Sequence, residues 1–256
     1  MFDSISERMR SRSAALLLTL DRRLDRILVW WLWLAGAASI ARIAFSPHNF
    51  PVAGVSTFGS YMLLVVAPFV STLLALRWFA EGHLQPQPKF RLAQIGRWRN
   101  LTRAEAEAHP LYGSTGIMVS LLVGMMLNVP VRALEYFGAM PPMPEDAPRW
   151  LSTLHFAMTL DVVLFGSLYM IAFVAALRRV PFFPRLLLVI WLADLTMQIV
   201  TAQLVASTNV PAGVAHALQA FLTGNVKKVL ISVALWLPYL LLSKRVNVTY
   251  RHRIPA

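Results

Sequence analysis

The chain has 256 residues, of which 57% are hydrophobic and 14% charged, with a formal net charge of +12. Soluble domains are about 45–50% apolar and about 25% charged, so this composition excludes a disordered chain and argues against a soluble enzyme. The absence of cysteine excludes disulfide bonds and thiolate metal sites. Several apolar runs exceed the roughly 18 residues that indicate a membrane span, so the basic charge does not require a nucleic-acid partner.

Six apolar segments predict an all-α polytopic membrane protein with six transmembrane helices. Each segment is bounded by charged residues, prolines or polar clusters. A strand-built barrel would instead alternate apolar and polar residues, which these segments do not do. The predicted spans cover about residues 27–45, 58–79, 111–131, 151–177, 186–206 and 226–242.

The basic residues segregate between the two sides that six spans define. Of the 24 Lys and Arg residues, all but five fall on the side that carries both termini. The positive-inside rule places that side in the cytoplasm, which predicts a multi-pass inner-membrane protein with cytoplasmic N- and C-termini. A five-span arrangement would break this segregation.

The chain is predicted to divide at the edges of its apolar segments. Residues 1–26 are expected to form a cytoplasmic amphipathic segment rather than a cleavable signal, because Asp21, Arg22 and Arg23 interrupt the first short apolar patch. The expected units after it are a transmembrane hairpin (27–80), a basic cytoplasmic loop (81–110), a four-span membrane domain (111–250) and a cytoplasmic tail (251–256).

The basic loop 81–110 allows three interpretations. It is a solvated connector, an amphipathic helix lying in the headgroup layer of an anionic membrane, or a docking site for a partner. Apolar residues recur at intervals of three after Pro88, which is the pattern of an interfacial helix, while a solvated connector with ordinary positive-inside charge is the slightly preferred interpretation. On that interpretation the candidate lipid contacts are Lys89, Arg91, Arg97, Trp98, Arg99 and Arg103.

The last part of the chain contains Trp236-Leu237-Pro238-Tyr239 followed by Ser243-Lys244-Arg245-Val246. This run resembles the C-terminal signature of a bacterial inner-membrane family, domain of unknown function 2569. The resemblance covers roughly residues 111–250, and its motif residues here are Trp236, Pro238, Tyr239, Ser243, Lys244 and Arg245. It implies a four-span bacterial inner-membrane protein to which the first two spans are added, and it implies no activity.

Ionisable residues inside the predicted spans are the strongest functional lead, because each is costly in a membrane unless it is paired or hydrated. The candidate polar cluster consists of Arg132, Asp161, Asp194, Gln198, Lys227 and Lys228. We expect the two aspartates to face the bundle interior and to meet Arg132 or one of the lysines. Three interpretations stay open: salt bridges that fix helix register, a functional polar cavity, or lysines that extend to the outer interface.

No catalytic motif accompanies these charges. The sequence lacks HExxH, GxSxG, GxxxxGK[ST] and GxGxxG patterns, so neither a metal site nor a cofactor is predicted and an enzyme is not favoured. Asn247-Val248-Thr249 matches a glycosylation sequon, but it lies on the predicted cytoplasmic side, where no glycosylation is expected.

The composition and charges favour an accessory, interaction or lipid-organising component of the envelope. The expected partners are membrane lipids, with anionic headgroups at the cytoplasmic face, and a larger membrane protein, but not nucleic acid. The alternative is a small transporter or lipid-handling protein that uses the polar cluster in the outer half of the membrane.

Overall fold

The computed structural model describes residues 2–45, 55–89, 96–143 and 146–256, with side chains from residue 11 in the first helix and from residue 58 in the second. This part of the chain is mainly helical. The helices are α1 (Phe2–Ala44), α2 (Val55–Trp78), α3 (Arg103–Ala108), α4 (Met118–Ala139), α5 (Arg149–Leu177), α6 (Phe183–Ala206), α7 (Ala212–Leu242) and α8 (Lys244–Arg251). Two short strands, β1 (Trp98–Asn100) and β2 (Arg253–Pro255), pair antiparallel.

Six of these helices, α1, α2, α4, α5, α6 and α7, are long and apolar enough to cross a membrane. The prediction of a helical protein with six apolar helices is therefore confirmed. The central helix is α5, which packs against α2, α4 and α6 and is the most buried of the six. The least buried is α7, which leaves most of its apolar surface exposed.

Both termini lie at the same end of the bundle, which we call the terminal end. The backbone N–H of Gly116, just before α4, donates to the Ser13 hydroxyl, and Arg178 after α5 forms an ion pair with Asp21 at 3.4 Å. The helix α8 and the strand pair lie at this end, because they follow α7 and contact the loops before α4. The other end, where Arg42 donates to the Phe137 carbonyl, is called the opposite end.

The helix α4 begins and ends later than predicted. The expected start near Leu111 is wrong because Gly113 and Gly116 have φ angles of +105° and +73°, which interrupt a right-handed helix. The helix then continues through Pro130 to Ala139 instead of ending near residue 131. As a result Arg132 lies well inside the helix rather than at its outer end.

Two other boundaries also differ from prediction. The first helix is continuous from Phe2, so the charges at 21–23 do not separate an N-terminal segment from the span. The helix α7 begins at Ala212 rather than near residue 226, directly after Pro211. Proline next to the first helical turn costs no intrahelical hydrogen bond, so it starts this helix instead of preventing it.

The basic loop does not form the continuous interfacial helix that one interpretation expected. Its described residues contain a 3-10 turn at Gly82–Leu84, the strand β1 and the short helix α3. A capping box between Thr102 and Glu105 starts α3, and these hydrogen bonds lower the pKa of the Glu105 carboxyl. Residues 90–95, which include the candidate lipid contact Arg91, lie outside the described residues.

The motif that resembles the family signature forms the corner between α7 and α8. Trp236 packs edge-on against Tyr239 at a ring separation of 6.0 Å, Pro238 lies inside α7, and Lys244 begins α8 after Ser243. Arg245 donates to Thr115 Oγ1 at 2.7 Å and to the Leu111 carbonyl at 3.2 Å. These contacts attach α8 to the loop before α4, so the motif has a structural role here.

A close approach at Gly82 gives a test of packing at the terminal end. A Cβ atom on Gly82 would lie 2.6 Å from Val180 Cγ2 and 2.9 Å from the Arg178 carbonyl oxygen. We expect Gly82→Ala to lower stability by about 1–3 kcal/mol, because backbone must move to relieve this overlap. Thermal unfolding in detergent measures the loss. The matched control is Gly124→Ala, where nothing lies within 4 Å, and an equal loss in both variants would contradict this explanation.

Candidate functional site

Three helices bring an arginine and two aspartates together inside the bundle. Arg132 projects from α4 between Asp161 of α5 and Asp194 of α6. Its Nη1 donates to Asp161 Oδ2 at 2.6 Å, and its Nη2 donates to Asp194 Oδ2. The prediction that the aspartates face the interior is confirmed, and of the three candidate cations Arg132 is the one they meet.

Neighbouring side chains complete the hydrogen bonding of this ion triad. Gln198, one turn after Asp194 on α6, donates to Asp161 Oδ1 at 3.0 Å and more weakly to Asp194 Oδ1 at 3.3 Å. The Tyr169 hydroxyl donates to Asp194 Oδ2 at 3.1 Å, and Arg132 Nε donates to Asn128 Oδ1 at 3.0 Å. Each of the four carboxylate oxygens therefore accepts at least one hydrogen bond, which is what makes a buried ionic group tolerable.

The triad is closed to bulk water. The Asp194 side chain is fully buried, and those of Arg132 and Asp161 are 10% and 11% exposed. The guanidinium also lies over the ring of Phe165, with 5.0 Å from its central carbon to the ring centroid. Two carboxylates face one guanidinium, so the triad formally carries one negative charge in excess.

The lysines of α7 do not meet the aspartates, contrary to the other two pairings considered from the sequence. Lys228 forms an ion pair with Glu135 of α4 and donates to Asn225 Oδ1 at 3.3 Å. Asn225 in turn approaches Gln198 at 3.5 Å, so a polar chain leads from the triad to α7. A small cavity of about 50 Å³ lies beside this chain and has room for at least one water molecule.

A much larger space lies between α6 and α7 at the opposite end. This groove has a volume of about 790 Å³. Apolar side chains such as Ile199, Val205 and Leu222 form most of its walls, while Gln198 and Lys227 lie where it approaches the triad. Lys227 is exposed, and among the described residues it has no carboxylate partner.

Sequence analysis missed four members of the polar chain: Asn128, Glu135, Tyr169 and Asn225. Three of them are signalled by helical spacing, because Asn128 and Glu135 lie four residues before and three after Arg132, and Asn225 lies three before Lys228. Tyr169 has no predicted site residue three or four positions away, so the same spacing does not indicate it. Its position eight residues after Asp161 on α5 places it on the same helix face.

The candidate lipid contacts of the basic loop are distributed over several secondary-structure elements and the segments between them. Lys89, Arg97, Arg99 and Arg103 are exposed. Arg103 donates to the Leu84 carbonyl at 2.6 Å, and the Arg97 carbonyl accepts from the N–H of Ala256. Trp98 is half-buried beneath the guanidinium of Arg253, whose central carbon lies 4.6 Å from the ring centroid, so this tryptophan packs against protein.

Comparison with family models, curated proteins and solved structures finds no match to this chain. The resemblance to domain of unknown function 2569 therefore remains a prediction. Within the described residues, no three His, Asp or Glu side chains are grouped so as to hold a metal ion.

Proposed function

We propose that the protein is a lipid-organising accessory protein of the bacterial inner membrane that binds an anionic phospholipid in the groove between α6 and α7. In this proposal both termini are cytoplasmic, because the terminal end carries most of the cations. The groove then lies in the outer half of the membrane. The observation that carries the proposal is the groove itself, with its apolar walls and its one unpaired lysine.

The size and chemistry of the groove suit an amphipathic ligand. Ligand sites are typically about 300–1,000 Å³ with mainly apolar walls and a few polar groups, and the groove falls in this range. Acyl chains would pack against Ile199, Val205 and Leu222. The Lys227 ammonium, at the end of the groove near Gln198, would supply the positive charge that an anionic ligand requires.

The buried triad supports this function indirectly by fixing the walls of the groove. Gln198 hydrogen-bonds the triad on one side and lines the groove on the other. Asn225 connects Gln198 to α7, the second wall. Passage of a polar solute receives less support, because every carboxylate oxygen of the triad already has a hydrogen-bond donor and the cavity beside it is only about 50 Å³.

Filling the groove tests the proposal. Ala202 lines the groove, whereas Leu192 is exposed on the same helix and does not line it. We expect Ala202→Trp to reduce the phospholipid that co-purifies with the protein about tenfold, and Leu192→Trp to leave it unchanged. Native mass spectrometry from mild detergent, with analysis of extracted lipids, measures both amounts.

A charge variant tests the headgroup assignment separately. We expect Lys227→Gln to keep bound lipid but to lower its anionic fraction, because the unpaired ammonium is removed. Equal lipid retention by both tryptophan variants would contradict the groove as a lipid site. Recovery of a stoichiometric membrane-protein partner that Ala202→Trp displaces would favour the interaction function instead.

A further inference from the structure

The terminal end contains a buried cluster of arginines at the junction of α8 and β2. Arg251 is 4% exposed and Arg253 is 3% exposed. Both donate to the same neutral acceptor, Asn247 Oδ1, from Arg251 Nη1 at 2.9 Å and from Arg253 Nε at 2.8 Å. Two buried guanidinium groups thus share one amide oxygen, where buried cations are normally held by carboxylates.

Two hydrogen-bond donors of this region are buried and have no partner among the described residues. They are Arg251 Nη2 and Gln87 Nε2. Both residues line one small cavity, together with Pro88, Pro181, Pro184 and Arg185. Gln87, Pro88 and Arg185 are only partly buried, so the cavity reaches the protein surface between them.

The electrostatic environment of this cavity is positive. Burial is the main cause that lowers the pKa of Arg251 to about 10, and the like charges of Arg253 and Arg185 lower it further. A pKa of 10 still leaves the guanidinium charged at neutral pH. An anion in the cavity would accept from the two unpartnered donors and would offset the repulsion among the three arginines.

We propose that the cavity formed by Gln87, Arg185 and Arg251 binds a phosphate group at the terminal end. The cavity is about 10 Å³, which admits one oxygen-sized group. A single phosphoryl oxygen fills it and accepts from Arg251 Nη2 and Gln87 Nε2, while the rest of the phosphate lies at the mouth beside Arg185. The phosphate belongs either to an anionic lipid headgroup or to a free phosphate ion. This site is separate from the α6–α7 groove and does not depend on it.

Unfolding temperature in detergent tests the site, with two kinds of ligand. One arm adds inorganic phosphate against chloride at equal ionic strength, and the other adds phosphatidylglycerol against phosphatidylcholine to delipidated protein. We expect one of the two phosphate ligands to raise the Tm of the wild-type chain by a few degrees. A shift with inorganic phosphate identifies a free-ion site, and a shift with phosphatidylglycerol alone identifies a headgroup site.

Three variants make the result specific. Arg251→Gln should abolish the shift and, without ligand, should unfold no earlier than wild type, since it removes a buried charge that forms no ion pair among the described residues. Gln87→Leu keeps all three arginines and should weaken apparent phosphate affinity about tenfold. Arg99→Gln removes an exposed arginine of β1 and should leave the shift intact. The proposal is overturned if neither ligand shifts wild type, or if Arg251→Gln responds as wild type does.

Discussion

Replacement of Arg132 with methionine is expected to prevent recovery of folded protein. Asp161 and Asp194 would be left as buried carboxylates that face each other without a cation. Removal of one partner from a buried ion pair costs about 3–5 kcal/mol, which is a large part of the stability of most proteins. The measurement is the yield of monodisperse protein after detergent extraction, with thermal unfolding of whatever is recovered.

Neutralising the carboxylates separates the loss of charge balance from the loss of packing. Asp161→Asn keeps the shape of the side chain and the Arg132–Asp194 pair, so we expect only a small destabilisation. The triple variant Arg132→Met, Asp161→Asn, Asp194→Asn should recover most of the yield, because no unpaired charge remains. If the triple variant is recovered no better than Arg132→Met alone, uncompensated charge is not the cause.

Replacement of Asn247 with leucine is expected to destabilise the terminal end nearly as strongly as Arg132→Met destabilises the centre of the bundle. The Asn247 side chain is fully buried, donates to the Leu241 and Ser243 carbonyls, and accepts from Arg251 and Arg253. Leucine would remove all four bonds, including the shortest hydrogen bond of Arg251, which would keep only its longer one to the Leu241 carbonyl at 3.4 Å. We expect a loss of at least about 3 kcal/mol in thermal unfolding, together with faster proteolysis of the C-terminal segment.

The matched variant replaces Asn247 with aspartate. Asn247→Asp keeps an acceptor for both arginines and adds a negative charge beside them, while it loses the donor to the two carbonyls. We therefore expect a clearly smaller loss than for leucine. A leucine variant as stable as wild type would show that Asn247 does not hold the arginines in place.

The helical content and the number of apolar helices follow from the sequence because long apolar runs leave few alternatives in a membrane. The residues at which the helices begin and end were less predictable, since they depend on local backbone geometry. The positive φ angles of Gly113 and Gly116 delay α4, whereas Gly124 lies inside that helix, so the presence of a glycine does not by itself mark the boundary. Pro130 was expected near the end of a helix, yet α4 continues past it.

The centre of the polar cluster, formed by Arg132, Asp161, Asp194 and Gln198, could be predicted from the sequence, but its pairing and several of its neighbours could not. The cost of a charge in a span indicates that Asp161 and Asp194 need partners, whereas the choice between Arg132 and Lys228 depends on how α4 and α7 are rotated. The sequence indicated Asn247 only as part of a glycosylation sequon. Its structural role depends on the turn at His252, which has a φ of 46° and brings Arg253 back over the helix.

The pairing of β1 with β2 sets an order of assembly during synthesis. Asn100 leaves the ribosome long before its partner Arg253. When Arg253 is made, all six long helices have already been synthesised. The strand β1 must therefore remain without its partner strand while the later helices are synthesised. The ladder joins two segments that lie on either side of helices α3 to α8 in the chain. A nascent chain that stalls before Arg253 keeps the edge of β1 open to proteases, so pairing marks a chain whose translation has passed α8.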